Sequence, residues 1–242
     1  MTDDPDDHSF SEGQGFDDPY DAFDIDPPEL TVDTDQVDPV DSRVVADTLD
    51  TGQLPADEVD ADTLLDVGID YMRINRHEQA TDTFERAARF AEDDQLTQEA
   101  WVNKGVAHAQ LEEYDAAIGA YREALAVDED SEFAATAETN LAYALWEFGR
   151  TEEALEHAER AVEVDPRFGQ AWYNRGFFLR ERGLAEDALN SFDNAIRLGF
   201  KNAELLEEKA IALEQLGEDE RAESVAEEAE QLREQQEERL VD

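Results

Sequence analysis

The chain has no cysteine, which excludes a disulfide framework, a thiolate metal site and a cysteine nucleophile. Only three of its 19 basic residues are lysine (Lys104, Lys201 and Lys209), and no cluster of Lys or Arg occurs along it. Without such a cluster little can displace the counterions of a phosphate backbone, so direct nucleic-acid binding is not expected. No stretch approaches the ~18 apolar residues of a membrane span. The N-terminus, Met-Thr-Asp-Asp-Pro-Asp-Asp, is acidic where a secretion signal starts basic. Glycine-rich phosphate loops, a Gly-x-Ser-x-Gly elbow and EF-hand loops are absent too. The four histidines, His8, His77, His108 and His157, have no metal-ligand spacing. No catalytic constellation remains, and neither a metal nor a cofactor is expected. A membrane is not an expected partner, the expected compartment is the cytoplasm, and nothing in the sequence specifies an oligomeric state.

What is present is acid. The 242 residues carry 65 Asp and Glu against 19 Lys and Arg, a formal charge of −46. Self-repulsion of that size destabilises a compact state at low salt and is screened within about 3 Å at molar salt. Dense carboxylates with arginine far in excess of lysine are the composition expected of a cytoplasmic protein from a salt-loving, haloarchaeal-type microbe.

The acid is unevenly distributed. Residues 1–38 hold 14 Asp and Glu, no Lys or Arg, and Pro5, Pro19, Pro27 and Pro28. Such a segment buries too little apolar surface to offset its ordering entropy and is expected to be disordered. Its scattered Phe10, Phe16, Tyr20, Phe23, Ile25 and Leu30 leave three roles open: a docking motif, a solvating tail, or a segment that folds back through Phe16, Tyr20 and Phe23 as an autoinhibitor. Within residues 39–60, Val44, Val45 and Leu49 at helical spacing, after Asp41 and Ser42 and before Gly52, predict a short capping helix and linker.

From residue 61 a roughly 34-residue pattern recurs five times. Units start near Ala61, Gln98, Ala135, Gly169 and Ala203 and divide the array, residues 61–236, into 61–97, 98–134, 135–168, 169–202 and 203–236. Position 8 reads Gly68, Gly105, Ala142, Gly176 and Ala210, position 20 Ala80, Ala117, Ala154, Ala188 and Ala222, and position 27 Ala87, Ala124, Ala161, Ala195 and Ala229. Small residues in that register let two helices of a unit approach closely and let neighbouring units stack. The first two units hold three extra residues, within Ala91 to Gln98 and between Asp128 and Ala135, which read as longer inter-unit loops.

With Trp101 and Trp172 at position 4, Phe84, Tyr121 and Phe192 at position 24, and Pro166 at position 32, the pattern resembles the tetratricopeptide repeat family. Departures include Glu138, where the third unit should carry its aromatic, and the lack of proline at position 32 elsewhere. The resemblance implies an all-α, right-handed superhelical solenoid of about five helix pairs, the last serving as a C-terminal cap, with a concave groove lined by the first (A) helix of each unit. It further implies a non-enzymatic adaptor or scaffold that binds a protein or peptide partner in that groove. The alternative is an acidic chaperone or nucleic-acid mimic that sequesters a basic partner through its negative surface.

On that concave face, position 6 presents Asn103, Asn140 and Asn174 in consecutive units. A ladder of amides can pair with the backbone of an extended peptide without reading its sequence, though asparagine there is also common in ordinary repeats. If so, replacing Asn140 and Asn174 with Ala should leave the thermal midpoint nearly unchanged. Tyr173, Tyr143, Phe177 and Trp146 form an expected aromatic patch around the ladder, unless they pack between adjacent A helices. Arg73 and Arg180 are the candidate cations for an acidic ligand. The basic residues of the family's carboxylate clamp are missing: its positions hold Asp62, Leu65, Asp66, Glu99, Val102, Thr136, Thr139, Gln170 and Glu204.

Overall fold

The computed structural model describes residues 60–241, with side chains to residue 237. The expected acidic tail (1–38) and the expected capping helix and linker (39–60, apart from Asp60) lie outside the described residues. Ten helices and no strand make up the described residues. They are α1 (Ala61–Arg73), α2 (His77–Phe90), α3 (Asp94–Gln110), α4 (Tyr114–Val127), α5 (Ala134–Glu147), α6 (Thr151–Val164), α7 (Gly169–Glu181), α8 (Ala185–Arg197), α9 (Ala203–Gln215) and α10 (Asp219–Val241). Each odd-numbered (A) helix packs on the even-numbered (B) helix that follows, and each B helix on the next A helix. None of the helices is long and apolar enough to cross a membrane.

The register of small residues becomes packing in a direct way. All ten alanines at positions 20 and 27 are buried. At position 8, the glycines of units one, two and four lie flat against the position-24 ring of their own unit: Gly68 on Phe84, Gly105 on Tyr121 and Gly176 on Phe192. A Cβ on Gly176 would come within 2.6 Å of the Phe192 ring, and the other two would overlap theirs. In units three and five position 24 shrinks to Ala158 and Ala226, and position 8 carries Ala142 and Ala210 instead. Volume is conserved pair by pair, as a close-packed interior requires. Unit three replaces its position-4 aromatic with an ionic contact: the buried Glu138 lies 2.5 Å from Nδ1 of His157 and 3.6 Å from Nε of Arg160 on α6.

Each A helix ends in the same turn. Position 15 takes positive φ in every unit, at Asn75 (57°), Glu112 (60°), Gly149 (87°), Gly183 (75°) and Gly217 (73°). The following amide then donates to the carbonyl five residues back, as from Arg150 to Leu145 (2.8 Å) and Leu184 to Leu179 (2.9 Å). This closes the orphan carbonyls of the helix end and sets the antiparallel return.

Units are also joined by charge in register. Position 7 of one unit meets position 25 of the unit before: Lys104 with Glu85 (2.6 Å), Arg175 with Glu159 (3.4 Å) and Lys209 with Asp193 (2.6 Å). Lys201 pairs with Glu228 (2.7 Å), so all three lysines are engaged within the protein. The buried Gln98 amide donates to Ala124 O (3.0 Å) and Asp128 O (2.6 Å), capping α4, which ends without glycine.

The two groups of extra residues behave differently. Those in unit two form the loop between α4 and α5. Those in unit one do not make a longer loop: they lengthen α3 to 17 residues, because Asp93 caps an earlier start by accepting the Gln95 amide (2.9 Å). At the C-terminal end, α10 buries Ala222 and Ala229 against α9, with Val225 and Leu232 half-buried alongside.

Candidate peptide-binding groove

Successive A helices touch one another directly across unit boundaries, α5 with α7 and α7 with α9, in addition to their contacts with the B helices. Helical spacing then turns positions 2, 5, 6, 9 and 13 of each A helix toward one shared face. On this face a pocket of about 460 Å³ opens between α5 and α7. Thr139, Asn140, Tyr143 and Glu147 line it from α5, and Gln170, Tyr173, Asn174, Phe177 and Phe178 from α7. Glu204 of α9 also lines it.

Five of the eight residues expected from the sequence therefore meet here: Asn140, Tyr143, Tyr173, Asn174 and Phe177. Asn103 lies one unit away, its amide donating to the Glu99 carbonyl of its own helix (2.9 Å). Trp146 sits behind the pocket, with its ring 5.3 Å from Phe177 and 5.1 Å from Phe178. Arg180 is 9% exposed, stacked 5.2 Å over Phe177 and held between the carboxylates of Glu181 (2.5 Å) and Glu208. Arg73 is exposed and paired with Asp70 at 2.9 Å. Each of these two arginines already has a carboxylate partner inside the protein.

The position-6 amides do different jobs. Asn174 is buried, donates to Thr139 O across the unit boundary (3.2 Å) and accepts from Gln170 Nε2 (3.0 Å). Its amide ties α7 to α5, so an unchanged thermal midpoint is not expected for Asn174→Ala, which strands a buried acceptor at about 1–3 kcal/mol. Asn140, which lines the pocket, is half-buried and its amide makes no hydrogen bond to the described residues, so its donor and acceptor are left for a ligand or solvent.

The tyrosines also divide. Tyr173 is buried, with its ring 5.6 Å from Phe200, and its hydroxyl donates to Oε1 of Glu204 (2.8 Å). Burial, reinforced by that carboxylate, holds the phenol far above its usual titration range, so it remains a donor. Tyr143 is 47% exposed; partial burial and then the charge of Glu147 push its hydroxyl up as well. Burial likewise raises Glu208, opposed by Arg180. Farther along the A helices, Glu99 is raised by burial and by the charges of Glu132, Asp62 and Asp66. Around the pocket one buried arginine stands against Glu147, Glu181, Glu204 and Glu208.

Sequence reasoning passed over Phe178 and gave no binding role to Thr139, to Gln170 or to the two acidic lining residues, Glu147 and Glu204. Both stand at groove positions, 13 and 2 of their units. Among 65 acidic residues, however, neither was distinguishable from a solvating carboxylate until the fold placed both beside aromatic rings.

Solved structures share this architecture. MamA from Desulfovibrio magneticus RS-1 superposes with a TM-score of 0.60 at 18% identity, over 73% of this chain and 96% of that one. YrrB, described as a TPR protein with an unusual peptide-binding site, superposes with a TM-score of 0.55 at 18% identity, over 72% and 86%. Among curated proteins, small glutamine-rich tetratricopeptide repeat-containing protein 2 of Mycosarcoma maydis is 29% identical over 104 residues, 43% of this chain and 29% of that protein. A DnaJ homolog subfamily C member 7 homolog of Dictyostelium discoideum is 31% identical over 103 residues, 42% and 19%. The matched part thus spans less than a third of either curated relative. Family models described as tetratricopeptide repeat match residues 96–167 and residues 139–199 and 179–237. Together these matches run from 96 to 237, more than half of the chain, in step with the repeated helix pairs, and the chain belongs to the tetratricopeptide repeat family.

Proposed function

We propose that the protein is a non-enzymatic adaptor or scaffold that holds a peptide or extended segment of a partner protein in the concave groove. Its composition suits the cytoplasm of a salt-adapted, haloarchaeal-type cell. The observation that carries the reading is the pocket between α5 and α7, where exposed Tyr143, half-buried Phe177 and the open amide of Asn140 converge. Aromatic anchors beside an unsatisfied amide suit a peptide, which presents alternating side chains and backbone groups. The peptide-binding site named for YrrB, a structural relative, supports the same reading.

The formal charge of −46 favours a second reading, an acidic chaperone or nucleic-acid mimic that sequesters a basic partner over its whole surface. Salt separates the two. Binding through amides and rings should persist at molar salt, whereas diffuse charge capture should collapse. The test is affinity capture from lysate of a salt-loving host at molar salt, comparing the native chain with an Asn140→Ala, Phe177→Ala variant. The groove reading expects a specific protein to be lost from the variant. Equal capture by both would contradict it.

A further inference from the structure

The pocket between α5 and α7 has no cation of its own. Arg180, which lies at its edge, is shared between Glu181 and Glu208, and all three lysines are tied elsewhere in the array. Glu147 and Glu204, which line the pocket, form no ion pair with any Lys, Arg or His among the described residues. Glu204 is also held in place. The Tyr173 hydroxyl donates to its Oε1 (2.8 Å), and its Oε2 makes no hydrogen bond among the described residues. Tyr143 adds an exposed ring to the same lining, so the ring and the two carboxylates belong to one pocket.

We propose that this pocket takes a basic side chain of the bound segment, arginine in preference to lysine, with its cation between Glu147 and Glu204 and its flat face on Tyr143. The inference rests on the groove reading above and adds the partner's chemistry. A planar guanidinium can donate to two carboxylates while stacking on a ring, whereas an ammonium is a compact point charge. An apolar occupant would take water from two exposed carboxylates and offer them no partner in return. An acidic occupant would meet like charge, and this argues against the chain's own residues 1–38, with 14 acidic residues and no Lys or Arg. The partner is therefore a protein segment bearing at least one arginine that the groove can reach.

The test is selection of a displayed library of random dodecapeptides on the full chain at molar salt, where diffuse attraction to the acidic surface is screened. Binders are then measured against three variants. Glu147→Gln with Glu204→Gln removes the pocket charge, and Glu186→Gln with Glu220→Gln removes the same charge from exposed positions on α8 and α10. Asn140→Ala with Phe177→Ala reports on the groove itself. The proposal expects arginine enriched at one position of the selected peptides. It also expects binding at least tenfold weaker in Glu147→Gln, Glu204→Gln, unchanged in Glu186→Gln, Glu220→Gln, and a comparable loss when that arginine is replaced by leucine. Should the double pocket variant fold poorly, Glu147→Gln alone, at an exposed site, reads the same effect. Peptides that depend on Asn140 and Phe177 yet show no basic enrichment, or bind Glu147→Gln, Glu204→Gln undiminished, would overturn the cation site and leave the groove reading intact. Peptides indifferent to Asn140→Ala, Phe177→Ala, or a failure to select any binder, would overturn both.

Discussion

Glu112 occupies the left-handed turn position that glycine fills in three units and asparagine in a fourth. A side chain with a Cβ is strained there by about 1–2 kcal/mol, and glycine relieves the strain while losing more chain entropy on folding. Glu112→Gly is therefore expected to stabilise the array by about 1 kcal/mol, a rise of ~2–4 °C in thermal midpoint at this size. Thermal unfolding followed by circular dichroism checks it, and a fall in midpoint would show that the Glu112 side chain stabilises more than its backbone costs. The same scale shows what a sequence hides. Asn103, Asn140 and Asn174 are one residue type at one repeat position, yet their amides bond to their own helix, to no described residue, and across a unit boundary. Which donor is left for a ligand depends on neighbours 30 or more residues away, such as Thr139 beside Asn174, and periodicity cannot report that.

Helix pairs carry the next level of specification. The period of small residues was legible because each buried contact repeats, and the helix pairs follow from it together with the turn at position 15. Less legible was the coupling between positions 8 and 24, in which Gly105 accepts the face of Tyr121 while Ala142 faces the smaller Ala158 in unit three. A methyl group added at Gly105 must displace a fully buried ring, at about 1–3 kcal/mol. Gly105→Ala is therefore expected to be destabilising alone, and much less so on a Tyr121→Ala background, where the cost of the lost ring is already present. A double-mutant cycle in urea measures the coupling; additive losses would mean that the two positions do not share one packing volume. The helix limits show a further gap between sequence and fold. Three extra residues near Asp93 carry no apolar signal of their own, and the cap formed by that aspartate, rather than the repeat period, set the start of α3.

For the whole molecule, charge and groove have to be considered together. An acidic excess of this size conceals individual carboxylates, which is why the aromatic half of the pocket was readable from the sequence and the acidic half was not. Tyr143, Tyr173 and Phe177 stand out in a chain with 9% aromatic residues; Glu147 and Glu204 do not. Stacking the A helices edge to edge brings residues more than 60 positions apart into one pocket, and that juxtaposition exists only in the assembled array. The most direct test of groove binding is site-specific photo-cross-linking at molar salt in a lysate of a salt-loving host. A photoreactive phenylalanine analogue would be placed at Tyr143 in the groove or at exposed Glu156 on the outer helix α6. The account predicts a discrete protein adduct from position 143 and none from position 156; an adduct from 156 alone, or the same adduct from both, would contradict it.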